Sequence, residues 1–371
     1  MRSAECGVPL TLTLSPLGRG EKRGGNSEIR NPHSEIETEC AMSNEIWVFA
    51  EQQDGKVRKV AFELLSAGAE FSKKTGQEVA AILLGSGLQE AVKSLTPFAD
   101  KIYLMDDPGL KSYTSDAYLM NIAPLVKEHQ PSILLGGATS NGKDLFPRLA
   151  MHLQVGYAPD CTDLNMGENG RLVAKRPLFG GKVFAEMAFS EAKPQMATVR
   201  NNTFIVSQNL SKSAKVILTP AHTDPSSLKK KVIGFEKAAG EKLDITEADI
   251  VVAAGRGIKG PQNFKIMEEL ADVLNASVGT TRAIVDEGWR DVKDQIGKSG
   301  KNISAKLYMA FGISGAIHHV LGIGTCKTVV AVDTDPNALI FNYADYAIVG
   351  DLFQIVPALT EELKKLFSAE R

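Results

Sequence analysis

The chain has 371 residues, 43% hydrophobic and 23% charged, a length that favours two domains and a composition ordinary for a globular protein. Its 42 basic and 44 acidic residues leave a net charge of −2, so no basic field points to nucleic acid or an anionic membrane surface. No apolar run approaches the ~18 residues of a membrane span, and Cys6, Cys40, Cys161 and Cys326 lie far apart without CxxC spacing. That cysteine usage argues against an iron–sulfur or zinc site and suits a reducing compartment, so bacterial cytoplasm is the expected location.

Residues 1–42 show neither helical nor strand periodicity. The apolar island Thr11–Leu14 is too short for a secretory core, and Glu5, Glu21, Glu28, Glu35, Glu37 and Glu39 are foreign to a mitochondrial presequence. The expectation is a disordered leader or a mis-annotated start, with translation beginning at Met42. An intact mass that includes Met1 would refute it.

From Ile46 the pattern is regular. The apolar strand Ile46–Ala50 is followed by a helix with Val60, Leu64, Leu65 and Ala67 on one face. Then come the continuous apolar run Val79–Gly85, the strand Lys101–Met105, the helix Tyr118–Lys127 and the strand Ser132–Gly137. Strands alternating with helices at this spacing predict a doubly wound α/β sheet. Gly136-Gly137-Ala138-Thr139 ends a strand before a helix, with Lys143 and Arg148 nearby; a structural loop is favoured over a nucleotide site. Beyond Leu172, Val173–Leu178, Val183–Ala185 and Gln195–Val199 read as short strands joined at Gly180-Gly181 and Lys193-Pro194, an antiparallel addition to the first sheet. Ser207–Glu247, with Pro220, Asp224-Pro225 and the solvated run Lys229–Lys231, reads as a wrapping arm or linker. The N-terminal domain with its arm spans 43–240, and the second domain 248–371.

The second domain opens with the buried strand Asp249–Ala254, which runs into Gly255-Arg256-Gly257-Ile258-Lys259-Gly260 and a helix from Pro261 to Asn275. This is a GxGxxG between a strand and a helix, the setting in which it binds a diphosphate. The next strand ends at Val278-Gly279, followed by Thr280-Thr281-Arg282 where an NAD site would carry an acid, leaving NADP or a flavin nucleotide open. Ile296–Lys301 looks like a P-loop, but Val292 stands where the upstream glycine is required. After the apolar run Leu307–Phe311, Gly312-Ile313-Ser314-Gly315-Ala316-Ile317-His318-His319 passes from strand to helix, with two histidines placed to face one ligand. Thr328–Val332 then leads to Asp333, and Tyr346–Gly350 to Asp351. In a parallel sheet these strand ends share one edge, and one extended dinucleotide along it accounts for them together. Two rivals remain at this point: an NADP-dependent oxidoreductase, and a cofactor-free nucleotide-binding scaffold.

Gly255-Arg256-Gly257, Thr281–Asp286, Gly297–Lys301, Gly312–Ile317, Ala344-Asp345-Tyr346 and Asp351-Leu352-Phe353 resemble, in order and spacing, the electron transfer flavoprotein alpha subunit family over residues 44–368. The resemblance implies two Rossmann-like domains, the second a deoxyhypusine synthase-like (DHS-like) NAD/FAD-binding domain. It implies one FAD in this subunit and a heterodimer whose beta subunit holds AMP or a second FAD. Electrons would pass from acyl-CoA or other flavin dehydrogenases, as in fatty acid β-oxidation, to the membrane quinone oxidoreductase; a bifurcating member would instead take them from NADH. Carried over by position, the FAD contacts are Arg256, Thr281, Arg282, Ile296, Gly297, Lys298, Ser299, Ser314, Gly315, Ala316, Ile317, His318, His319, Asp333 and Asp351. The flavin-tuning groups among them are Arg282 beside the isoalloxazine, Ser299 near its N5 edge, and His319 at the N1/C2 side, titrating near its ~6.5 reference. The family usually has Ser at Thr281, Gln at Lys298, Thr at Ser299, Gln at His318 and Asn at Asp333. Lys298 and His318 therefore bring added positive charge toward the flavin.

Overall fold

The computed structural model describes residues 45–369 apart from 168–169, 182, 208–210, 223–227, 231 and 235–243, so the expectation for the leader lies outside the described residues. In chain order the first unit comprises β1 (Glu45–Phe49), the small hairpin β2 (Gln52–Gln53) and β3 (Lys56–Val57), α1 (Lys59–Thr75), β4 (Glu78–Gly85), α2 (Gln89–Leu95), β5 (Lys101–Asp106), α3 (Ser115–His129), β6 (Ile133–Gly137) and α4 (Ser140–Leu153). It continues with β7 (Tyr157–Cys161), β8 (Asp163–Met166), β9 (Leu172–Leu178), β10 (Val183–Ala188), β11 (Gln195–Val199) and β12 (Lys215–Leu218). The second unit comprises β13 (Ile250–Ala254), α5 (Phe264–Leu274), β14 (Ser277–Thr280), α6 (Arg282–Asp286), β15 (Leu307–Phe311), α7 (Ile317–Val320), β16 (Thr328–Asp333), β17 (Tyr346–Val349) and α8 (Leu352–Ala369).

The chain is mixed α/β, built on two Rossmann-like parallel sheets. The first has seven strands in the order β12-β5-β4-β1-β6-β11-β7, the second five in the order β14-β13-β15-β16-β17. Every pairing within both is parallel. The strand order reverses beside β1 in one sheet and beside β13 in the other, and these switch points are where such folds open a crevice at the strands' carboxyl ends. Alternation along the strands fills both faces of each sheet. Ile46, Val48 and Leu83 pack with Leu64 on one side, and Trp47, Phe49 and Ile82 with Phe146 on the other. Val251 and Tyr308 face Ile296, while Val252 and Phe311 face Phe264 and Met267. α1 buries Val60, Leu64, Leu65 and Ala67 as its spacing predicts, and stops at Gly76, whose positive φ lets its N–H cap the Ser72 carbonyl at 2.8 Å.

Three features differ from the sequence expectation. Gln195–Val199 is not part of an antiparallel addition: it enters the first sheet parallel, between β6 and β7, with all five residues buried. A strand covered on both faces loses the polar alternation that marks an exposed hairpin, and the flanking turn residues obscured this. The predicted hairpin of β9 and β10 does form, but it joins β8 in a separate three-stranded antiparallel sheet. Within the supposed linker, Lys215–Leu218 pairs with β5 and closes the edge of the first sheet; four residues are too few to show a period. Lys229 and Lys230 are exposed, as a solvated run should be, while Lys231 lies outside the described residues.

No hydrophobic cluster joins the two units among the described residues. Their junction is polar. Arg58 pairs with Glu51 and Glu247, Lys59 with Asp249, and Lys59 Nζ also donates to Asn202 Oδ1 at 2.8 Å. Asn201 and Asn202 donate to the Thr246 and Ala248 carbonyls at 3.0 Å each, and Arg200 reaches across to Thr325 Oγ1 at 3.2 Å. No helix of the described residues is long and apolar enough to cross a membrane.

Candidate functional site

At the switch point of the second sheet, two strand-end turns are pressed together. Gly255 N–H donates to the Phe311 carbonyl at 3.0 Å, and Gly257 N–H to the Gly312 carbonyl at 3.1 Å. A Cβ on Gly257 would lie 2.6 Å from Gly312 Cα, and one on Gly255 would lie 2.3 Å from Gly312 O. These glycines are therefore required by loop-on-loop packing, and the open backbone cradle expected from GxGxxG is filled on that side by Gly312. Arg256, between them, is exposed and has no hydrogen-bond or ion-pair partner among the described residues.

Around this point the parallel register gathers the other predicted residues. Thr281 follows β14, anchored by its N–H to the Ala254 carbonyl at 3.3 Å, and opens α6. Arg282 is exposed and meets Asp286 at 3.3 Å, an i,i+4 surface pair that holds it only weakly. The segment Ile296–Lys301 folds back on itself rather than forming a phosphate nest. Gly297 N–H donates to the Lys301 carbonyl at 3.0 Å and Lys301 N–H to the Gln295 carbonyl at 2.8 Å. It also joins the turn after β15, because Lys298 N–H donates to the His318 carbonyl at 2.7 Å. Gln295 Nε2 donates to Ser299 Oγ at 2.9 Å, which leaves the Ser299 proton free to donate outward. The Lys298 side chain lines a cleft toward the first unit. Ser314, Ala316, Ile317 and His318 are exposed. Gly315 is at φ 83°, and the Ile340 N–H bonded to the Ser314 carbonyl at 3.2 Å closes the space over it. Asp333 Oδ1 accepts from Asp335 N–H at 3.0 Å and Asp351 Oδ1 from Phe353 N–H at 3.0 Å.

Two predicted residues turn inward. The Ile296 side chain is buried against Gly279, so only its backbone borders the edge. His319 is 6% exposed, and both ring nitrogens are taken. The Ile296 carbonyl can only accept, so Nδ1 carries the proton and donates to it at 3.2 Å, while Nε2 accepts from the Tyr308 hydroxyl at 2.7 Å. The histidine pair therefore diverges. His318 faces solvent; His319 braces the turn from beneath. The expectation of a His319 that titrates near neutrality is corrected for a physical reason: burial pushes the imidazole down from 6.5 to about 4, with the Ile296 bond opposing weakly. Sequence pattern singled out neither Tyr308 nor Gln295; Tyr308 sat inside an apolar strand run, where only its hydroxyl hinted at a buried partner.

A depressed folded-state pKa means that the unfolded chain binds the extra proton. The His319 contribution is complete above about pH 6.5 and is lost as pH falls toward about 4, on the order of 3 kcal/mol in all. His319→Gln should therefore flatten the fall in urea midpoint between pH 7 and pH 5; a variant as steep as the parent would contradict this assignment.

The family model for the electron transfer flavoprotein domain matches residues 46–224, and that for the electron transfer flavoprotein FAD-binding domain matches residues 244–324. The electron transfer flavoprotein subunit alpha of Thermoanaerobacterium thermosaccharolyticum is 44% identical over 324 residues, spanning 87% of this chain and 98% of that protein. The subunit alpha of Megasphaera elsdenii is 39% identical, over 86% of this chain and 96% of its own length. The acryloyl-CoA reductase electron transfer subunit beta of Anaerotignum propionicum is 37% identical, again over 86% and 96%. With both halves matched in order and near full-length coverage of its relatives, the chain belongs to the electron transfer flavoprotein alpha subunit family.

Proposed function

We propose that this chain carries one FAD on the carboxyl edge of its second sheet and, paired with a beta subunit holding AMP or a second FAD, shuttles electrons from a flavin dehydrogenase to a quinone oxidoreductase. Residues 43–240 form the N-terminal domain with its arm, and 248–371 the DHS-like FAD-binding domain. The observation that carries the reading is the donor set of that edge: the exposed cations Arg256 and Arg282, neither neutralised by a buried partner, beside hydroxyls and free backbone. This set fits a dianionic diphosphate joined to a polar ring system. Bound FAD supplies the one- and two-electron chemistry.

The protein's share is to bind, orient and set the local field. Arg256 holds the diphosphate. Asp333 and Asp351 each spend one carboxylate oxygen on a local turn and offer the other to ribose or adenine donors. Ser299, oriented by Gln295, donates toward the ring's N5 edge, and Arg282 swings from its weak Asp286 pair to oppose negative charge on the ring. Thr281, Ser314 and the turn Gly315–His318 line the rest, with His319 and Tyr308 fixing that turn from below.

Lys298 acts through its charge. A fixed charge worth about 1 kcal/mol shifts a one-electron couple by roughly 40 mV. Lys298→Gln should therefore lower the flavin potential by roughly 20–40 mV, and His318→Gln should add to the drop wherever that imidazole is protonated. Potentials unchanged in both variants would remove these residues from the account. The function itself is tested by the visible spectrum of the chain co-expressed with its beta subunit. One FAD, reduced by a flavin dehydrogenase and reoxidised by a quinone reductase, is the expected result. Two FADs, one reducible by NADH, would identify a bifurcating member, and a colourless complex would overturn the reading.

A further inference from the structure

The cleft between the two units is lined by cationic and amide side chains, of which only Arg200 has a carboxylate partner among the described residues. It has a volume of about 220 Å³ and is lined by Pro177 and Gly181 of the β9–β10 hairpin, by Arg200, and by Lys298, Asn302 and Thr325 of the second unit. Among the described residues no carboxylate lines it. Arg200 spends three N–H groups, two on Asp160 at 3.0 and 2.7 Å and one on Thr325 at 3.2 Å, which leaves two of its five. The Lys298 ammonium and the Asn302 amide have no partner among the described residues. Behind Arg200, Asp160 already serves Lys143 at 3.7 Å and lies in the field of Arg176, whose buried Nε–H has no hydrogen-bond partner among the described residues. Three cations, Arg200, Lys143 and Arg176, thus share one carboxylate while Lys298 adds a further charge at the cleft, an excess of positive charge that a bound anion would offset.

We propose that this cleft is a binding site for a small dianionic oxyanion of the phosphate class, held by Arg200, Lys298 and Asn302 with the Arg176 guanidinium behind them. The site is distinct from the strand-edge residues assigned to the flavin diphosphate, apart from Lys298, which borders both. Its volume takes a phosphate and a few waters, of about 30 Å³ each in the liquid, but falls below the ~300–1,000 Å³ usual for a whole cofactor. Because both units contribute donors, the bound anion cross-links a junction that has no apolar core.

The test is isothermal titration of the full chain in its beta-subunit complex with sodium phosphate, against chloride at equal ionic strength, and in parallel with AMP, counting for AMP only the binding lost in Asn302→Leu, because an AMP site in the beta subunit keeps its own heat in that variant. Saturable phosphate binding in the sub-millimolar range is expected, weakened several-fold by Asn302→Leu, at a residue that lines the cleft, and several-fold by Arg176→Gln through the loss of its charge behind Asp160. In chloride alone, Arg176→Gln should leave the thermal midpoint unchanged or higher, because it removes a buried N–H that has no hydrogen-bond partner among the described residues, so loss of binding will not be confused with loss of fold. Binding of phosphate but not AMP assigns the site to the free ion; comparable binding of both assigns it to the phosphate of a nucleotide whose remainder lies outside the cleft. No heat beyond chloride, or undiminished binding in both variants, overturns the proposal. The readout needs no chromophore, so its failure and the failure of the flavin assignment are separable.

Discussion

Gly315→Ala should unfold the turn on which the second sheet's edge depends, costing roughly 3–5 kcal/mol and most of the bound FAD. Two penalties add. The residue sits at φ 83°, where any side chain is strained, and its new Cβ would lie 2.2 Å from Ile340 N and 2.6 Å from Ile340 Cα. Those are backbone atoms of the segment Leu339–Tyr343 and cannot rotate away. The turn or that segment must move, and the Ile340 N–H to Ser314 carbonyl bond goes with it. Against a typical total of ~5–15 kcal/mol, such a loss should lower the melting temperature by roughly 10 °C or more. Gly288→Ala is the internal control: φ is 71° but nothing lies within 4 Å of the new Cβ, so about 1 kcal/mol for the backbone alone is expected. Equal costs for the two variants, by urea denaturation, would show that the contact with Ile340 is unimportant.

Arg256→Ala should do the reverse, sparing the fold and removing the ligand. The side chain is exposed and unpartnered among the described residues, so stability should stay within about 0.5 kcal/mol. A charge-assisted bond to a diphosphate is worth about 1.5–3 kcal/mol, so the FAD dissociation constant should rise roughly 10- to 100-fold. The loss should shrink at high salt, since an exposed charge is screened over about 10 Å at 0.1 M. Arg256→Lys should recover part of the affinity through charge without the fork geometry. Unchanged FAD affinity in Arg256→Ala, measured by flavin fluorescence on titration of the deflavinated protein, would place the diphosphate elsewhere on the edge.

The sequence made the repeating architecture legible wherever burial imposes a period. Val79–Gly85, Leu307–Phe311 and Thr328–Val332 are continuous apolar runs because both faces of those strands are covered, and α1 shows its stripe because one face is. Where composition is mixed, the pattern failed. Tyr157–Cys161 contains Pro159 and Asp160 and still forms the sheet's edge strand, a place where proline is tolerated. Gln195–Val199 is a buried parallel strand whose partners lie up to 62 residues away, at Ile133. Neither contact is local, so no window of sequence contains it.

By itself, then, the sequence determined two alternating α/β units, the glycine turns after their strands, and the set of Arg, Ser and Asp residues at one edge, because each follows from local periodicity or from backbone conformations only glycine adopts readily. The tertiary structure alone decided what those residues face. It turned His318 out and His319 in, although they are neighbours, because a single helical turn sends adjacent side chains about 100° apart. It spent Gly255 and Gly257 on contact with Gly312, and brought Lys143, Arg176 and Arg200, from segments up to 57 residues apart, around the one carboxylate of Asp160. Which groups share a dielectric, and which charges remain unpaired, depends on distances through space, and the order of residues along the chain does not encode them locally.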